Sequence, residues 1–265
     1  WYRQHLRPVT PALDTAPAYR QHGVYVDIGG AGGIGQAWSE HVLRQHGAQV
    51  VWIGRRAADA GIRSAIDRLS QHGPAPHYIA ADATDRAALQ AACDEVQRRF
   101  GRIHGVVQSA LVLGDQGLAG MDEARFAASL ASKVDVSVRM AQVFGALDLD
   151  FALFFSSVQS FFRSPGQSNY AAGCVFKDAF AQALGRHGAC CVKVMNWGWW
   201  GSVGVAAGEV YEARMKQYGL ASIEPDEGWQ ALEALLRGPH RQLALLKTTA
   251  PLPPARPPRD GGAER

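Results

Sequence analysis

The sequence predicts an α/β chain built on one doubly wound parallel sheet with helices on both faces, and three observations carry that expectation. Seven short apolar runs of strand length alternate with stretches of helical spacing. The run at 151–155 is apolar throughout, as a parallel strand is when helices bury both its faces. With 265 residues, 47% hydrophobic and 19% charged, the chain can fill one large core.

Taken in order, residues 1–21 carry prolines at 8, 11 and 17 without periodicity, and the proline-rich tail 251–265 favours extended chain. Such ends, with a first residue that is Trp, suggest a module cut from a longer polypeptide, with its folded domain in 22–250. Strands are expected at 24–28, 49–53, 77–81, 103–108, 151–155, 191–196 and 242–247. After Thr84 and Asp85, the residues Leu89, Cys93, Val96 and Phe100 share one helix face, and Gly101 ends that helix. No internal repeat is visible.

Composition excludes several function classes. A net charge of +3 without a basic stripe gives no nucleic-acid surface. No apolar run reaches membrane-spanning length and no signal peptide opens the chain, so a soluble, cytoplasmic protein without a membrane partner is expected. Cys93, Cys174, Cys190 and Cys191 lack CxxC spacing and read as reduced thiols. The nine histidines lack metal-ligand spacing, so no metal is expected.

Between the first strand and its helix runs Ile28-Gly29-Gly30-Ala31-Gly32-Gly33-Ile34-Gly35. Glycines there permit a tight turn and let backbone N–H groups approach a pyrophosphate at a positive helix N-terminus, which predicts a dinucleotide. The second strand leads into Arg55 and Arg56, where an NAD site would carry an acid. A guanidinium suits the 2′-phosphate of NADP through paired charged hydrogen bonds; the competing reading is a solvated loop arginine. Asp82 and Ala83 follow the third strand, where an acid would fit the adenine edge, though Asp82 could equally cap the next helix.

The 151–155 strand opens toward Ser156 and Ser157, and twelve residues separate Ser157 from Tyr170 at the start of a helix. A hydroxyl at a strand end and a phenol on the next helix can converge on one carbonyl oxygen. This spacing, with the glycine turn, Arg55 and Asp82 in the same order, resembles the short-chain dehydrogenase/reductases. More closely, from about Tyr19 to Lys247, the chain resembles the catalytic subdomain of polyketide synthase ketoreductases. The phrases SPGQSNYAAGC, FKDAFA and NWGWWGSVG look most like the subgroup whose acyltransferases act in trans.

The resemblance implies a Rossmann-like fold, NADPH as cofactor, and reduction of a β-ketoacyl group on an acyl carrier protein within a larger synthase. It implies Tyr170 as acid, Ser157 as donor to the developing oxyanion, and Lys133 as the cation beside the phenol. Ser109 and Ala110 match a cofactor loop whose commoner pattern is Ala-Ala-Gly. Cys174 stands where the family has Asn, a weak donor in place of an amide, which bears on the relay that returns protons to Tyr170. Lys177, one turn further, reads as solvated or paired with an acid. Asp27 interrupts the first strand, where burial is costly without a hydrogen bond. The stretch 196–201, with Trp197 and Trp199, and the helical composition at 209–218 resemble a mobile lid; the competing reading is that the tryptophans are core. For stereocontrol, Leu113-Gly114-Asp115 keeps the second acid of a Leu-Asp-Asp motif, Pro165 and Asn169 match Pro-x-x-x-Asn, and Phe162 holds a Trp position; together they imply the D-configured (R) 3-hydroxy product. The alternatives are a stand-alone short-chain reductase and a catalytically silent scaffold.

Overall fold

The computed structural model describes residues 6–10, 17–187, 190–204 and 208–250. The tail 251–265 and much of 1–21 therefore lie outside the described residues. In chain order the elements are β1 (Val24–Ile28), α1 (Gly33–His46), β2 (Gln49–Gly54), α2 (Ala60–Leu69), β3 (His77–Ala80), α3 (Arg86–Phe100) and β4 (Gly105–Gln108). There follow α4 (Glu123–Ala131), α5 (Val134–Phe144), β5 (Phe151–Ser157), α6 (Gln159–Phe162), α7 (Ser168–His187) and β6 (Cys191–Trp197). The last are α8 (Glu209–Gln217), α9 (Pro225–Arg237) and β7 (Gln242–Leu245).

All strand pairs are parallel, in the order β3-β2-β1-β4-β5-β6-β7. The order reverses between β1 and β4, and ligands bind such sheets in the crevice beyond the carboxyl ends at that switch point. Ile28, Ile53 and Gln108 share one register line, so the loops after β1, β2 and β4 open side by side. Two apolar clusters fill the two faces of the sheet. One gathers Ile28, Leu89, Val96, Met140 and Phe154; the other gathers Trp38, Trp52, Leu153, Trp197 and Trp229.

Tyr19 shows that the core begins ahead of β1: it is 2% exposed and accepts a 3.0 Å hydrogen bond from Trp38 Nε1. Asp85, not Asp82, caps α3, its carboxylate accepting from Ala88 N at 2.8 Å. The largest departure from expectation is at β5, which does not open after Phe155. Ser156 and Ser157 stay in the ladder opposite Asn196 and Trp197, because β6 also runs further than its apolar pattern suggested. The fourth strand starts at Gly105 rather than at 103, and the seventh ends at Leu245 rather than at 247. Among the described residues no helix is long and apolar enough to cross a membrane.

Candidate active site

A cavity of about 730 Å³ opens over the carboxyl ends of the central strands. One end is shaped by the turn after β1. Gly29 has φ of +105°, and a Cβ there would meet Ala110 N at 2.5 Å, so only glycine lets the turn pass beneath the β4 loop. The first turn of α1 holds no acid, leaving its positive end open to an anion. Gly29, Ala31, Gly32, Gly33, Ile34 and Gly35 all line the cavity. Gly30 does not line it; a Cβ there would meet Trp52 at 2.2 Å, so packing against that ring requires a glycine.

Arg55, Arg56, Asp82, Ala83, Ser109 and Ala110 line the same cavity. The two arginines differ. Arg56 is engaged with Asp59 at 2.9 Å, whereas exposed Arg55 forms no hydrogen bond or close ion pair among the described residues. Asp82 is turned back on Thr84, accepting from its backbone N at 2.9 Å and its hydroxyl at 2.8 Å, and these bonds hold its carboxyl below the usual range.

At the other end β5 delivers Ser157, α7 delivers Tyr170, and the residue ahead of α5 is Lys133; all three line the cavity. Tyr170 hydrogen-bonds with Ser157 and with Cys174, the first contact favouring the phenolate and the second opposing it. Burial outweighs both and pushes the phenol well above its ordinary pKa. Lys133 is 2% exposed, and its ammonium stands 4.2 Å from the Tyr170 ring centroid with no hydrogen-bond partner among the described residues. Burial lowers its pKa.

Gly173 explains how this lysine fits. A Cβ at that position would meet Lys133 Cδ at 2.5 Å, so the helix forgoes a side chain where the lysine crosses it. A glycine inside a helix costs about 1 kcal/mol against alanine, and that cost is the sequence signal for Gly173. Lys177 is neither solvated nor acid-paired, contrary to expectation. It is 1% exposed, lines the cavity, and donates to Gln108 Oε1 and to the Phe155 carbonyl, the latter at 2.7 Å. The reason is position: a buried helix face crosses two strand ends there, and polar strand-end groups replace water around the ammonium. Cys174 is fully buried on the same face and does not line the cavity, although its sulfur contacts the phenol.

The first strand tolerates Asp27 because Ser109 Oγ donates to Asp27 Oδ1 at 2.6 Å; Oδ2 has no partner among the described residues. Burial raises this carboxyl to about 7. Behind the site Asn196 Nδ2 donates to the Ser157 carbonyl at 3.0 Å and to Asp178 Oδ2 at 2.9 Å, fixing the strand end that presents Ser157.

The family model described as KR domain matches residues 23–202. The chain belongs to the KR domain family. Over 247 residues this KR domain is 53% identical to polyketide synthase PksN of Bacillus subtilis, a match covering 93% of the chain. It is 52% identical over 252 residues, 95% of the chain, to polyketide synthase PksM of the same organism. It spans only 4% and 6% of those two proteins. A solved ketoreductase domain from the bacillaene assembly line superposes with a TM-score of 0.81 at 25% identity, covering 88% of this chain and 58% of that one. Together the matches make this KR domain a ketoreductase of the short-chain dehydrogenase/reductase type.

Within the KR domain, Trp197 and Trp199 line the cavity and are also packed, Trp197 meeting Trp200 at 5.1 Å between centroids. No described residue of α8 lines the cavity. Asp115, Phe162, Pro165 and Asn169 do not line it either. The Asp115 loop lies against the start of α7. Gln167 Nε2 donates to Asp115 Oδ2 at 2.7 Å, and a Cβ on Gly114 would come 3.7 Å from Asn169 Nδ2. Asn169 is fully buried beside Tyr170 with neither amide atom hydrogen-bonded among the described residues. Phe162 is 47% exposed on α6.

Proposed function

We propose that this KR domain reduces a β-ketoacyl group, carried as a thioester on an acyl carrier protein of its synthase, to the D-configured (R) 3-hydroxyacyl product with NADPH. The observation that carries the reading is the convergence of Tyr170, Ser157 and Lys133 in one cavity with the glycine turn and unpaired Arg55. A group at the nucleotide end would be held by the N–H groups of the first turn of α1, with Arg55 on the 2′-phosphate. NADPH bound there supplies hydride.

The rest of the chemistry falls to the protein. Ser157 donates a hydrogen bond to the ketone oxygen and polarises it. Tyr170 holds its proton on the phenol, because burial keeps it neutral, and gives that proton to the oxygen as charge develops there. Lys133 offers its positive charge to the phenolate that results. Trp197 and Trp199 form part of the cavity wall beside this centre.

Asn169 and Asp115 support the stereochemical part. With the cofactor held at one end, the face of the ketone presented depends on the side from which the acyl arm approaches. A difference of about 2.7 kcal/mol between the two transition states gives roughly 99:1 selectivity. Asn169 is buried next to Tyr170 and stands outside the cavity lining, so the support it gives is that of the matched motif rather than of a contact with the acyl arm.

The test is NADPH oxidation by the purified domain with a panel of β-ketoacyl thioesters, followed by chiral chromatography. Turnover with predominantly D-hydroxy product is expected. Predominantly L product overturns the stereochemical assignment, and retained NADPH binding with no turnover marks a silent scaffold.

A further inference from the structure

Lys177 is a buried cation that the reduction as described leaves unused. Its ammonium has three donors, and Gln108 Oε1 and the Phe155 carbonyl take two. The residue itself forms part of the wall of the cavity that Tyr170 and Lys133 also line. Tyr170, Cys174 and Lys177 follow one another along a single face of α7. At the middle position the KR domain has a thiol, a weak hydrogen-bonding group beside the amide its resemblance leads one to expect.

The two acceptors of Lys177 are neutral, so its charge depends on more distant groups. Asp27 on β1 and Asp178 on α7 favour it, as does Cys174, while Lys133 ahead of α5 opposes it. Burial is the largest influence and brings the ammonium down to about 7. Among the described cavity residues, Lys177 thus combines a proton it can release at neutrality with a position on the face of α7 that carries the acid.

We propose that Lys177 is the proton reservoir of this site, returning to Tyr170 the proton that each reduction consumes. The proposal rests on the ketone-reducing reading above. When Tyr170 protonates the product oxygen, a phenolate remains. A cavity water gives Tyr170 a proton and takes one from the Lys177 ammonium, leaving a neutral phenol and a neutral amine. Solvent then protonates the amine, so each cycle consumes one proton from bulk water. Lys177 acts through Tyr170 and does not touch the reacting carbonyl. The cavity, walled by Ser109, Ser156 and Ser157 among others, has the volume and polar groups that such a water needs.

The experiment compares the wild-type domain with Lys177→Arg and Lys177→Met. Arginine keeps the charge and the donors but cannot be deprotonated, so it separates a proton source from a structural tie between β4 and β5. Both variants are expected to bind NADPH as the wild type does, with kcat at least tenfold lower and KM little changed. The wild-type kcat should fall as pH rises through about 7, where the amine loses its proton, and this limb should vanish in Lys177→Met. Independently of turnover, a lysine ¹³Cε resonance absent from both variants should titrate near neutrality. Wild-type rates in Lys177→Arg, or a Lys177 resonance titrating above about 9 as a solvated lysine does, overturn the reservoir while leaving the reductase intact. A wild type that reduces no thioester refutes the reductase reading and the reservoir with it. Should Lys177→Arg fail to fold, the resonance titration and the Met pH profile decide.

Discussion

The ammonium of Lys133 lies 4.2 Å from the centroid of the Tyr170 ring, over its π face, and makes no hydrogen bond among the described residues. A cation so placed is attracted to the ring by about 0.5–2 kcal/mol, more as water is removed. Yet burial still holds the phenol above its ordinary pKa. On the proposed reading, such a phenol keeps its proton until charge appears on the substrate oxygen, when the adjacent cation gains its full value.

This packing requires the bare backbone of Gly173. Gly173→Ala places a methyl 2.5 Å from Lys133 Cδ, while alanine itself favours the helix by about 1 kcal/mol. Turnover is expected to drop tenfold or more with a melting temperature within a few degrees of the wild type. Unchanged turnover would show that the lysine reaches the ring by another path.

Tyr170→Phe removes the only phenol on the cavity face of α7 and should nearly abolish reduction while NADPH binds as before. Cys174→Ala should leave kcat within about threefold, since a thiol is a weak hydrogen-bonding group and its contact opposes the phenolate. It should cost about 1 kcal/mol of stability for the small void left at a fully buried position. Stopped-flow kinetics and denaturant titration measure both; a hundredfold loss in Cys174→Ala would place the thiol in the proton path.

Asp27 makes stability depend on pH. Its folded pKa of about 7 lies above the ordinary 3.8, so the folded state binds the extra proton and that stabilisation is lost as pH rises from about 4 through 7. At about 1.4 kcal/mol per unit the loss is at most about 4 kcal/mol. Lys177 has the opposite sign: lowered to about 7, it loses stability as pH falls from above 10 toward 7. Asp27→Asn should remove the first slope, so urea midpoints at pH 5 and 8 should differ less in the variant than in the wild type. Equal differences would mean that Asp27 stays ionised throughout.

Arg55 is free for a phosphate, whereas Arg56 is committed to Asp59. Arg55→Ala should weaken NADPH binding at least tenfold, about 1.4 kcal/mol, and leave NADH binding unchanged. Arg56→Ala should have the smaller effect. Calorimetric titration with both cofactors reads this out, and equal losses for NADPH and NADH would remove the phosphate contact.

The doubly wound sheet, the glycine turn and the pairing of Ser157 with Tyr170 were legible in the chain because each rests on local physics. Strand burial writes a continuous apolar run, a tight turn writes glycines, and two residues on consecutive elements keep a fixed spacing. Lys133 entered through resemblance alone, since no spacing ties it to Tyr170 across 37 positions. Only the tertiary structure decided that Lys177 is buried, that Gly30 packs on Trp52, that Gly173 makes room for Lys133, and that Asp27 is sheltered by Ser109. Each of those outcomes depends on which groups from distant segments replace water around a side chain, and hydrophobic periodicity along one element carries no record of its neighbours.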